Sequence, residues 1–273
     1  MKKALVTLCV GDRLRATFRG AFLPTWQAYC RRHGIDLVVL ERPLDDSPRA
    51  RDRSPAWQKC LVHHAPELHG AERIAWVDAD VAISPNAPDI FSAVPEDKIG
   101  AVDDHATPSA DEHRMVTERA YELWVARGIP FHRTCNAREW YAVRGIDCDS
   151  SQVVQTGVFV YAPGRHADIL ERAYHDYENL GDNALNHEMG PLSYEMIKSG
   201  GVHWLPAKFN MMWICWELLH YPFLEQPELL PGRLPVALKR KMVEYLRQPC
   251  ARAAFGNNYF LHFSGGSKYY RHL

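Results

Sequence analysis

The sequence predicts an α/β fold in which a mostly parallel central sheet is flanked by helices. Short apolar runs alternate with segments of helical periodicity over residues 4–205, a pattern typical of strand–helix–strand units. A chain of 273 residues, 47% of them hydrophobic, is also long and apolar enough to bury a full core. Because the sequence contains no internal repeat, low-complexity tract or Gly/Ser linker, we expect a single domain over residues 1–273.

The apolar runs and the helical patterns between them define the expected elements. We expect strands over residues 4–10, 35–40, 73–78, 98–103, 153–161 and 202–205, and helices over 15–33, 55–68, 165–179 and 188–199. Pro24 predicts a kink or break in the first helix, because proline cannot donate a backbone hydrogen bond. Ser54 followed by Pro55 predicts a capped start for the second helix.

Charge and cysteine content exclude several classes of protein. A formal net charge of -1 gives no reason to expect a nucleic-acid or acidic-lipid partner. Seven scattered cysteines without a Cys-x-x-Cys argue against a disulfide framework and against a zinc knuckle. The apolar run near the start is about six residues, short of the roughly 7–15 of a signal peptide, and no run reaches the roughly 20 of a membrane span. We therefore expect a cytoplasmic protein without a transmembrane segment.

The segment WVDADVAIS (76–84) places two aspartates where the third predicted strand ends. Ligands gather at the carboxyl ends of parallel strands, and Asp78 and Asp80 point to the same side of an extended chain. Two neighbouring carboxylates repel unless a cation or a buried proton relieves them, and oxygen ligands favour Mg²⁺ or Mn²⁺. The alternative is a solvated turn, since Asp-x-Asp often occurs by chance.

Two enzyme classes place Asp-x-Asp after a strand. In aspartate-nucleophile phosphatases a second acidic pair is needed, for which Asp103 and Asp104 are available. However, that fold leads with its Asp-x-Asp strand, whereas two predicted strands come first here. In nucleotide-sugar glycosyltransferases the aspartates hold a metal that bridges the donor diphosphate, and the rest of the chain favours this class.

Six sequence blocks occur in the order seen in glycosyltransferase family 8. They are VTLCVGD (6–12), WQKCL (57–61), WVDADVAISPNAPDIF (76–91), QTGVFVYAP (155–163), LPAKFN (205–210) and LHFSGGSK (261–268). Together they resemble glycogenin-like members over nearly the whole chain. The resemblance implies a GT-A fold with a nucleotide-binding half (1–104) and an acceptor half (105–273). It also implies a UDP-sugar donor, Mn²⁺ or Mg²⁺, and hexose transfer with retention of configuration.

The last block supplies the remaining residues around the metal and the diphosphate. The resemblance makes His262 the third metal ligand beside the two aspartates, and a neutral imidazole suits Mn²⁺. A core or surface histidine is the alternative. Gly265 and Gly266 allow the backbone to approach a phosphate closely, and Lys268 brings a positive charge, although a Gly-Gly pair can also be a simple turn.

Residues in the first two blocks are expected to bind the donor nucleotide. Leu8 and Val10 match positions that line the uracil and ribose. Gly11 stands where glycogenin-like members usually have asparagine, so Asp12 is the candidate for the missing hydrogen bond. The resemblance places Lys59 at the donor sugar or its phosphates, whereas its position on a predicted helix is equally typical of a solvated charge.

The donor sugar is expected to contact residues that follow later strands. Asp103, or its neighbour Asp104, ends the fourth predicted strand and would face the sugar hydroxyls. Gln155 replaces the usual asparagine of the family and is assigned to the catalytic group, since it keeps an amide there. His187 and Glu188 stand where the family has Asp-Gln.

Glu188 is predicted to be the acid nearest the anomeric carbon. Its position at the start of a helix suggests that N-terminal amides hold the carboxylate and lower its pKa. It would then stabilise an oxocarbenium-like transition state or act as a nucleophile, unless the transferase uses front-face attack instead. A plain helix-capping acid is the alternative.

The remaining regions and rival functions stay open at this point. Residues 105–152 and 211–255 are rich in aromatic side chains, which fits either core-packing helices or an acceptor cleft. A nucleotidyltransferase acting on sugar phosphates is the rival enzyme, although CVGDRLR (9–15) is a poor version of its glycine-rich loop. A non-catalytic sugar-nucleotide-binding protein is the third hypothesis. The acceptor, whether sugar, protein or small molecule, and a homodimeric state are also left open.

Overall fold

The structure is a computed structural model that describes residues 2–128, 133–134, 136–179, 187–264 and 269–273. Within these residues, no helix combines the length and the apolar character needed to cross a membrane. Six cysteines lie in the described part of the chain, and all of them are free and buried.

The strands and helices of the described chain follow the predicted alternation. In chain order they are β1 (Lys3–Leu8), α1 (Asp12–Thr17), α2 (Leu23–His33), β2 (Asp36–Leu40), α3 (Pro48–Arg51), β3 (Arg73–Val77), β4 (Val81–Ile83), β5 (Ile99–Asp103), α4 (Ala110–Val125), α5 (Ala137–Ala142), β6 (Val154–Tyr161), α6 (Pro163–His175), α7 (Met189–Lys198), β7 (Val202–Trp204), β8 (Met211–Met212), α8 (Trp213–His220), α9 (Val236–Asn257) and β9 (Phe260–His262). Each strand predicted from an apolar run is therefore present, with ends that differ by one or two residues.

The central sheet is mostly parallel, as predicted. Among the described residues its six strands lie in the order β2-β1-β3-β6-β5-β7. β1 is parallel to β2 and β3, and β5 is parallel to β7, whereas β6 is antiparallel to both of its neighbours. The amino-terminal end of β6 consequently lies beside the carboxyl ends of β3 and β5.

A second, smaller sheet was not predicted. It consists of β4, β9 and β8 in that order, with two or three residues in each strand. Runs this short do not establish a period of two in the sequence. The sheet matters because it joins the chain just after the two aspartates to the segment that carries His262.

Apolar side chains cover both faces of the central sheet. Alternate residues of β1 illustrate this, since Leu5 packs into one hydrophobic cluster and Val6 into the other. The first cluster lies under α2, the small sheet, α8 and α9, and the second under α6, α7 and residues 55–64. Burial on both faces explains why the strands appear as continuous apolar runs.

Two predicted helices differ from regular α-helices. The helix expected over 15–33 is divided by a π-helical turn at Phe18–Phe22, after which Pro24 occupies the first turn of α2, where its missing N–H costs nothing. The helix expected over 55–68 is a 3₁₀-helix at Pro55–His64 followed by a separate 3₁₀ turn. Ser54 caps it, as predicted, by accepting a hydrogen bond from the Ala56 amide.

The aromatic regions outside the sequence blocks form packed helices that also enclose space. α4, α5, α8 and α9 come from residues 105–152 and 211–255, and several of their aromatic side chains, including Trp213, are fully buried. α4 and α8 also line a cavity of about 200 Å³. The core-packing alternative is therefore confirmed, and the acceptor cleft stays a prediction for which this cavity is available.

Replacing Gly100 tests the tight contact between β5 and the segment before it. A Cβ added at Gly100 would lie 2.1 Å from Cγ2 and 2.9 Å from Cγ1 of Val94. We expect Gly100→Ala to lower the free energy of unfolding by about 1–3 kcal/mol, the usual range for overpacking a core. Adding Val94→Ala removes both methyl groups and should restore part of the lost free energy of unfolding. A double-mutant cycle measured by urea unfolding tests this. Strict additivity of the two substitutions would contradict this packing.

Candidate active site

The two aspartates and His262 meet where β3 ends. Asp78 and Asp80 lie in the turn between β3 and β4, and β9 pairs antiparallel with β4 so that His262 lies opposite Val81. The amide of Phe263 also donates to the carbonyl of Asp80 over 2.9 Å. The small sheet thus brings together residues that are far apart in the sequence.

The three side chains are close enough to share one ion. Nε2 of His262 lies 3.2 Å from Oδ1 of Asp80 and 3.9 Å from Oδ2 of Asp78. One ligand atom from each residue can be chosen so that all lie within 4.8 Å of one another. Two carboxylates and an imidazole are a suitable donor set for a divalent metal ion.

A chain of hydrogen bonds sets the orientation of the His262 ring. The Gly157 amide donates to Oε1 of Gln155 (2.7 Å), and Nδ2 of Asn210 donates to the same oxygen (3.0 Å). Oδ1 of Asn210 then faces Nδ1 of His262 at 3.0 Å and accepts its proton. The Gly157 amide can only donate, so the atom of Gln155 that it contacts is the carbonyl oxygen. This fixes the direction of the hydrogen bonds that follow, from Asn210 to Gln155 and from His262 to Asn210. Nε2 of His262 is consequently the nitrogen presented to the aspartates, as a metal ligand requires.

Glycine at position 157 is required by the same packing. A Cβ at Gly157 would lie 2.4 Å from Cε1 and 2.8 Å from Nδ1 of His262. Any side chain there would push the imidazole out of place. Glycine is therefore required at this position of the QTGVFVYAP block because a side chain would clash with the imidazole of His262.

Burial and the neighbouring charges shift the pKa values of these side chains. Burial opposes charge on Asp80, but the nearby His262 outweighs it and lowers the pKa of Asp80. Burial likewise opposes charge on His262, but Asp80 raises the pKa of this imidazole. Burial raises the pKa of Asp78 and outweighs the opposite effect of Lys59. A metal ion entering the site would displace the proton that His262 shares with Asp80.

Lys59 is a buried cation and not a solvated one. Its side chain is 3% exposed, and Nζ lies 2.6 Å from Oε1 of Glu188 and 3.0 Å from Oδ1 of Asp78. Nζ also donates to the carbonyl of Thr156 over 3.2 Å. Burial lowers the pKa of Lys59, but the two carboxylates outweigh it and raise that pKa. The sequence-based alternative of a surface charge is therefore wrong.

Glu188 is held by Lys59, and the prediction of helix amides as its partners is wrong. Its side chain, 3% exposed, makes no capping hydrogen bond to α7 and instead accepts from Oγ1 of Thr156 over 3.0 Å. Burial raises the pKa of Glu188, but Lys59 outweighs it, so the pKa is lowered as expected for a different reason. The helix-capping alternative is excluded by the same geometry. The adjacent His187 is exposed.

A cleft of about 250 Å³ adjoins the two aspartates. Because the sequence predicts a nucleotide-sugar donor at this position, we refer to it as the donor cleft. Its walls are Leu8, Val10, Leu14, Pro55, Ala56, Trp76, Asp78, Ala79 and Asp80. The two positions expected to line the uracil and ribose are thus at the cleft. The indole of Trp76 also donates to Oδ1 of Asp78 over 2.7 Å and orients that carboxylate. Asp12 is exposed, forms an ion pair with Arg15 and is not among the lining residues.

Other predicted donor residues are placed differently. Asp103 is buried and accepts the amides of His105 (3.0 Å) and Val153 (3.2 Å), so it stabilises a turn, and burial raises its pKa. Its neighbour Asp104 lines the cavity beside α4. Gly265, Gly266 and Lys268 lie outside the described residues.

Several residues of the site were not assigned from the sequence. Asn210, Thr156 and Trp76 make the hydrogen bonds that orient the predicted groups. The sequence did contain an indication that Asn210 is buried. This residue is the last of the LPAKFN block and stands between the apolar residues Phe209 and Met211. A polar side chain in such surroundings is usually buried and hydrogen-bonded.

Comparisons with known proteins support the fold. No protein-family profile matches the chain, and no curated protein matches it in sequence. Among solved structures, a glycosyltransferase involved in the glycosylation of the major capsid of PBCV-1 aligns with 98% of both chains at 14% identity and a TM-score of 0.51. The WbbM bifunctional glycosyltransferase aligns with 98% of this chain and 46% of its own at 13% identity and a TM-score of 0.53.

These likenesses define the class of fold to which the chain belongs. The central sheet flanked by helices is the GT-A fold of glycosyltransferases, as the sequence resemblance implied. Membership of family 8 in particular stays a prediction, since no family profile matches.

The buried pair of Lys59 and Glu188 can be tested by removing its members in turn. We expect Lys59→Met to lower the free energy of unfolding by about 3–5 kcal/mol at neutral pH, because it leaves Glu188 buried without its counter-charge. Adding Glu188→Gln removes that charge and should restore part of the loss. Urea unfolding measures both changes, and an unchanged stability of Lys59→Met would contradict the pairing.

The same pair has a defined pH dependence. Because the folded-state pKa of Glu188 is lowered, its contribution to stability is present above the ordinary glutamate pKa of about 4.3 and is lost as the pH falls through the folded-state value. The double variant lacks this group and should lose less stability on acidification than the wild type does.

Replacing Asn210 tests whether the hydrogen-bond chain prepares His262 for a metal. We expect Asn210→Ala to weaken Mn²⁺ binding by about 10–100-fold, since the Nδ1 proton of His262 loses its acceptor. Calorimetric titration measures the affinity, and thermal unfolding checks the fold. Asn257→Ala is the matched control, because that amide bonds only to the Ala253 carbonyl at the surface. Equal affinities in the wild type and Asn210→Ala would contradict the role of this chain.

Proposed function

We propose that the protein is a metal-dependent glycosyltransferase that moves a hexose from a UDP-sugar to an acceptor with retention of configuration. The observation that carries the proposal is the convergence of Asp78, Asp80 and His262. Both aspartates also line the donor cleft. This cleft lies at the carboxyl end of a central strand, where α/β folds bind nucleotides. The GT-A fold of the chain supports the same class of reaction.

The nucleotide would bind in the first half of the chain, residues 1–104. Leu8 and Val10 give the donor cleft an apolar wall suited to the uracil ring and the ribose. Trp76 adds an aromatic surface while its indole holds Asp78. Asp12 is exposed and pairs with Arg15, so its hydrogen bond to the nucleotide stays a prediction from the sequence alone.

The side chains of Asp78, Asp80 and His262 are suitable ligands for Mn²⁺ or Mg²⁺. Asp78 and Asp80 supply oxygen ligands, and His262 supplies Nε2 with its other nitrogen hydrogen-bonded. When bound, such an ion provides Lewis-acid stabilisation of the diphosphate leaving group. From the sequence we add the Gly265–Gly266 backbone and Lys268 as further contacts of the diphosphate.

Glu188 and Gln155 are proposed as positioning residues. Oε1 of Glu188 is already engaged by Lys59 and Thr156, and the whole side chain is buried. Attack on an anomeric carbon would require an exposed carboxylate oxygen. This arrangement favours front-face transfer over a covalent intermediate on Glu188. Gln155 acts on His262 through Asn210.

Donor hydrolysis by the purified protein tests the proposed function. With a panel of UDP-sugars and Mn²⁺, we expect slow hydrolysis that EDTA abolishes and that Asp80→Asn reduces by at least about 10²-fold. Asp12→Asn is the matched control, since it makes the same chemical change at an exposed aspartate that does not line the cleft. Hydrolysis that survives EDTA, or Asp80→Asn with wild-type activity, would refute the metal-dependent mechanism.

The same panel distinguishes the rival functions. Release of pyrophosphate from UTP and a sugar 1-phosphate would indicate a nucleotidyltransferase. Binding of UDP-sugars without turnover, followed as a thermal shift, would indicate a non-catalytic sugar-nucleotide-binding protein.

A further inference from the structure

A second group of metal-ligating side chains lies where β5 leads into α4. Asp104 and His105 belong to the 3₁₀ turn Asp104–Ala106 that follows β5, and His113 lies near the start of α4. One ligand atom from each of the three lies within 4.8 Å of the others. Oδ2 of Asp104 is 3.8 Å from Nδ1 of His105. None of these residues lines the donor cleft as described.

Three ring nitrogens of the two imidazoles are buried without hydrogen-bond partners among the described residues. The side chain of His105 is only 9% exposed, yet neither of its ring nitrogens has a partner among the described residues. Nδ1 of His113 is likewise buried without one. A buried polar group left unpaired costs about 1–3 kcal/mol, so native structures rarely keep several together. A bound ligand at these nitrogens would remove that cost.

The surroundings hold the ligands in place. The Asp103 carboxylate accepts the His105 amide over 3.0 Å and fixes the turn, while Ser109 caps α4 by accepting the Glu112 amide over 3.3 Å. The imidazole rings of His105 and His113 are stacked, with centroids 4.6 Å apart. The ligand-bearing segments are therefore anchored by their own hydrogen bonds.

We propose that Asp104, His105 and His113 form a second metal site that binds a divalent transition metal of the zinc class. Two imidazoles and one carboxylate favour Zn²⁺ over Mg²⁺, whereas the donor cleft offers two carboxylates and one imidazole. The site is thus chemically distinct from the one proposed for the diphosphate, and it does not depend on the glycosyltransferase proposal.

The fourth coordination position would face the cavity of about 200 Å³ beside α4. Three protein ligands leave such a position open to water or to another molecule. Arg144 lines the same cavity, where its guanidinium lies 3.6 Å from the ring centroid of Trp140. The positive charge of Arg144 favours an anionic group at the open coordination position. The Asp104 carboxylate offsets the repulsion between Arg144 and the metal ion.

A third cluster, formed by His63, His64 and Glu171, provides the control. There, Glu171 already lies 3.1 Å from Nε2 of His63 and 3.0 Å from Nε2 of His64, and the side chain of His64 is 57% exposed. His64→Ala therefore removes an exposed histidine from a cluster in which Glu171 already pairs with Nε2 of both imidazoles.

Zinc titration against a chromophoric chelator tests the proposal on the full chain. We expect His113→Ala and the nearly isosteric Asp104→Asn to weaken the tightest Zn²⁺ site by at least about 100-fold, more than changes outside the ligand set usually do. His64→Ala and Asp80→Asn should keep that site. Co²⁺ in place of zinc should give the visible absorption of a low-coordinate site in the wild type and lose it in His113→Ala.

Two outcomes would overturn the proposal. One is wild-type zinc affinity and stoichiometry in both His113→Ala and Asp104→Asn. The other is loss of the tight site in Asp80→Asn but not in His113→Ala, which would assign the zinc to the donor cleft. Far-UV circular dichroism and thermal unfolding identify any variant that fails to fold. If His113→Ala fails to fold, the nearly isosteric Asp104→Asn still tests the proposal.

Discussion

The antiparallel setting of β6 is the constraint on which the candidate site depends. Because β6 runs against β3 and β5, its amino-terminal residues lie at the carboxyl ends of those strands. Gln155 then orients His262 through Asn210, and Gly157 packs against the imidazole. Thr156 reaches Lys59 and Glu188. A parallel strand at this position would present its carboxyl end to the site instead, and these contacts would be lost.

Charge balance is the second constraint. Removing Lys59 from water is unfavourable unless carboxylates surround its ammonium group, and Asp78 and Glu188 do so from two different elements. The result links the 3₁₀-helix at Pro55–His64, the end of β3 and the start of α7 through one buried cation. It also leaves Asp80 and His262 to pair with each other.

Much of the fold could be predicted locally, but the contacts of the site could not. The position of Asp78 and Asp80 just after a buried strand follows from the sequence pattern, but the two residues lie in a turn and not on the extended chain expected for them. For Lys59 the sequence favoured a solvated charge as readily as a buried one, because its counter-charges come from distant segments. The sequence correctly predicted Glu188 at the start of a helix, but the predicted hydrogen-bond partners of its carboxylate were wrong. Lys59 competes better than backbone amides for a buried carboxylate.

The sequence by itself determined the strand order along the chain, the capped start at Ser54 and the placement of two carboxylates, Asp78 and Asp80, just after β3. Those features depend on residue type and periodicity over a few positions. Only the tertiary structure decided which nitrogen of His262 faces the aspartates. It also decided that both ring nitrogens of His105 and Nδ1 of His113 are buried without hydrogen-bond partners in the described part of the chain. Hydrogen bonds and ion pairs act over about 3 Å, and local periodicity does not specify distances between segments far apart in the chain.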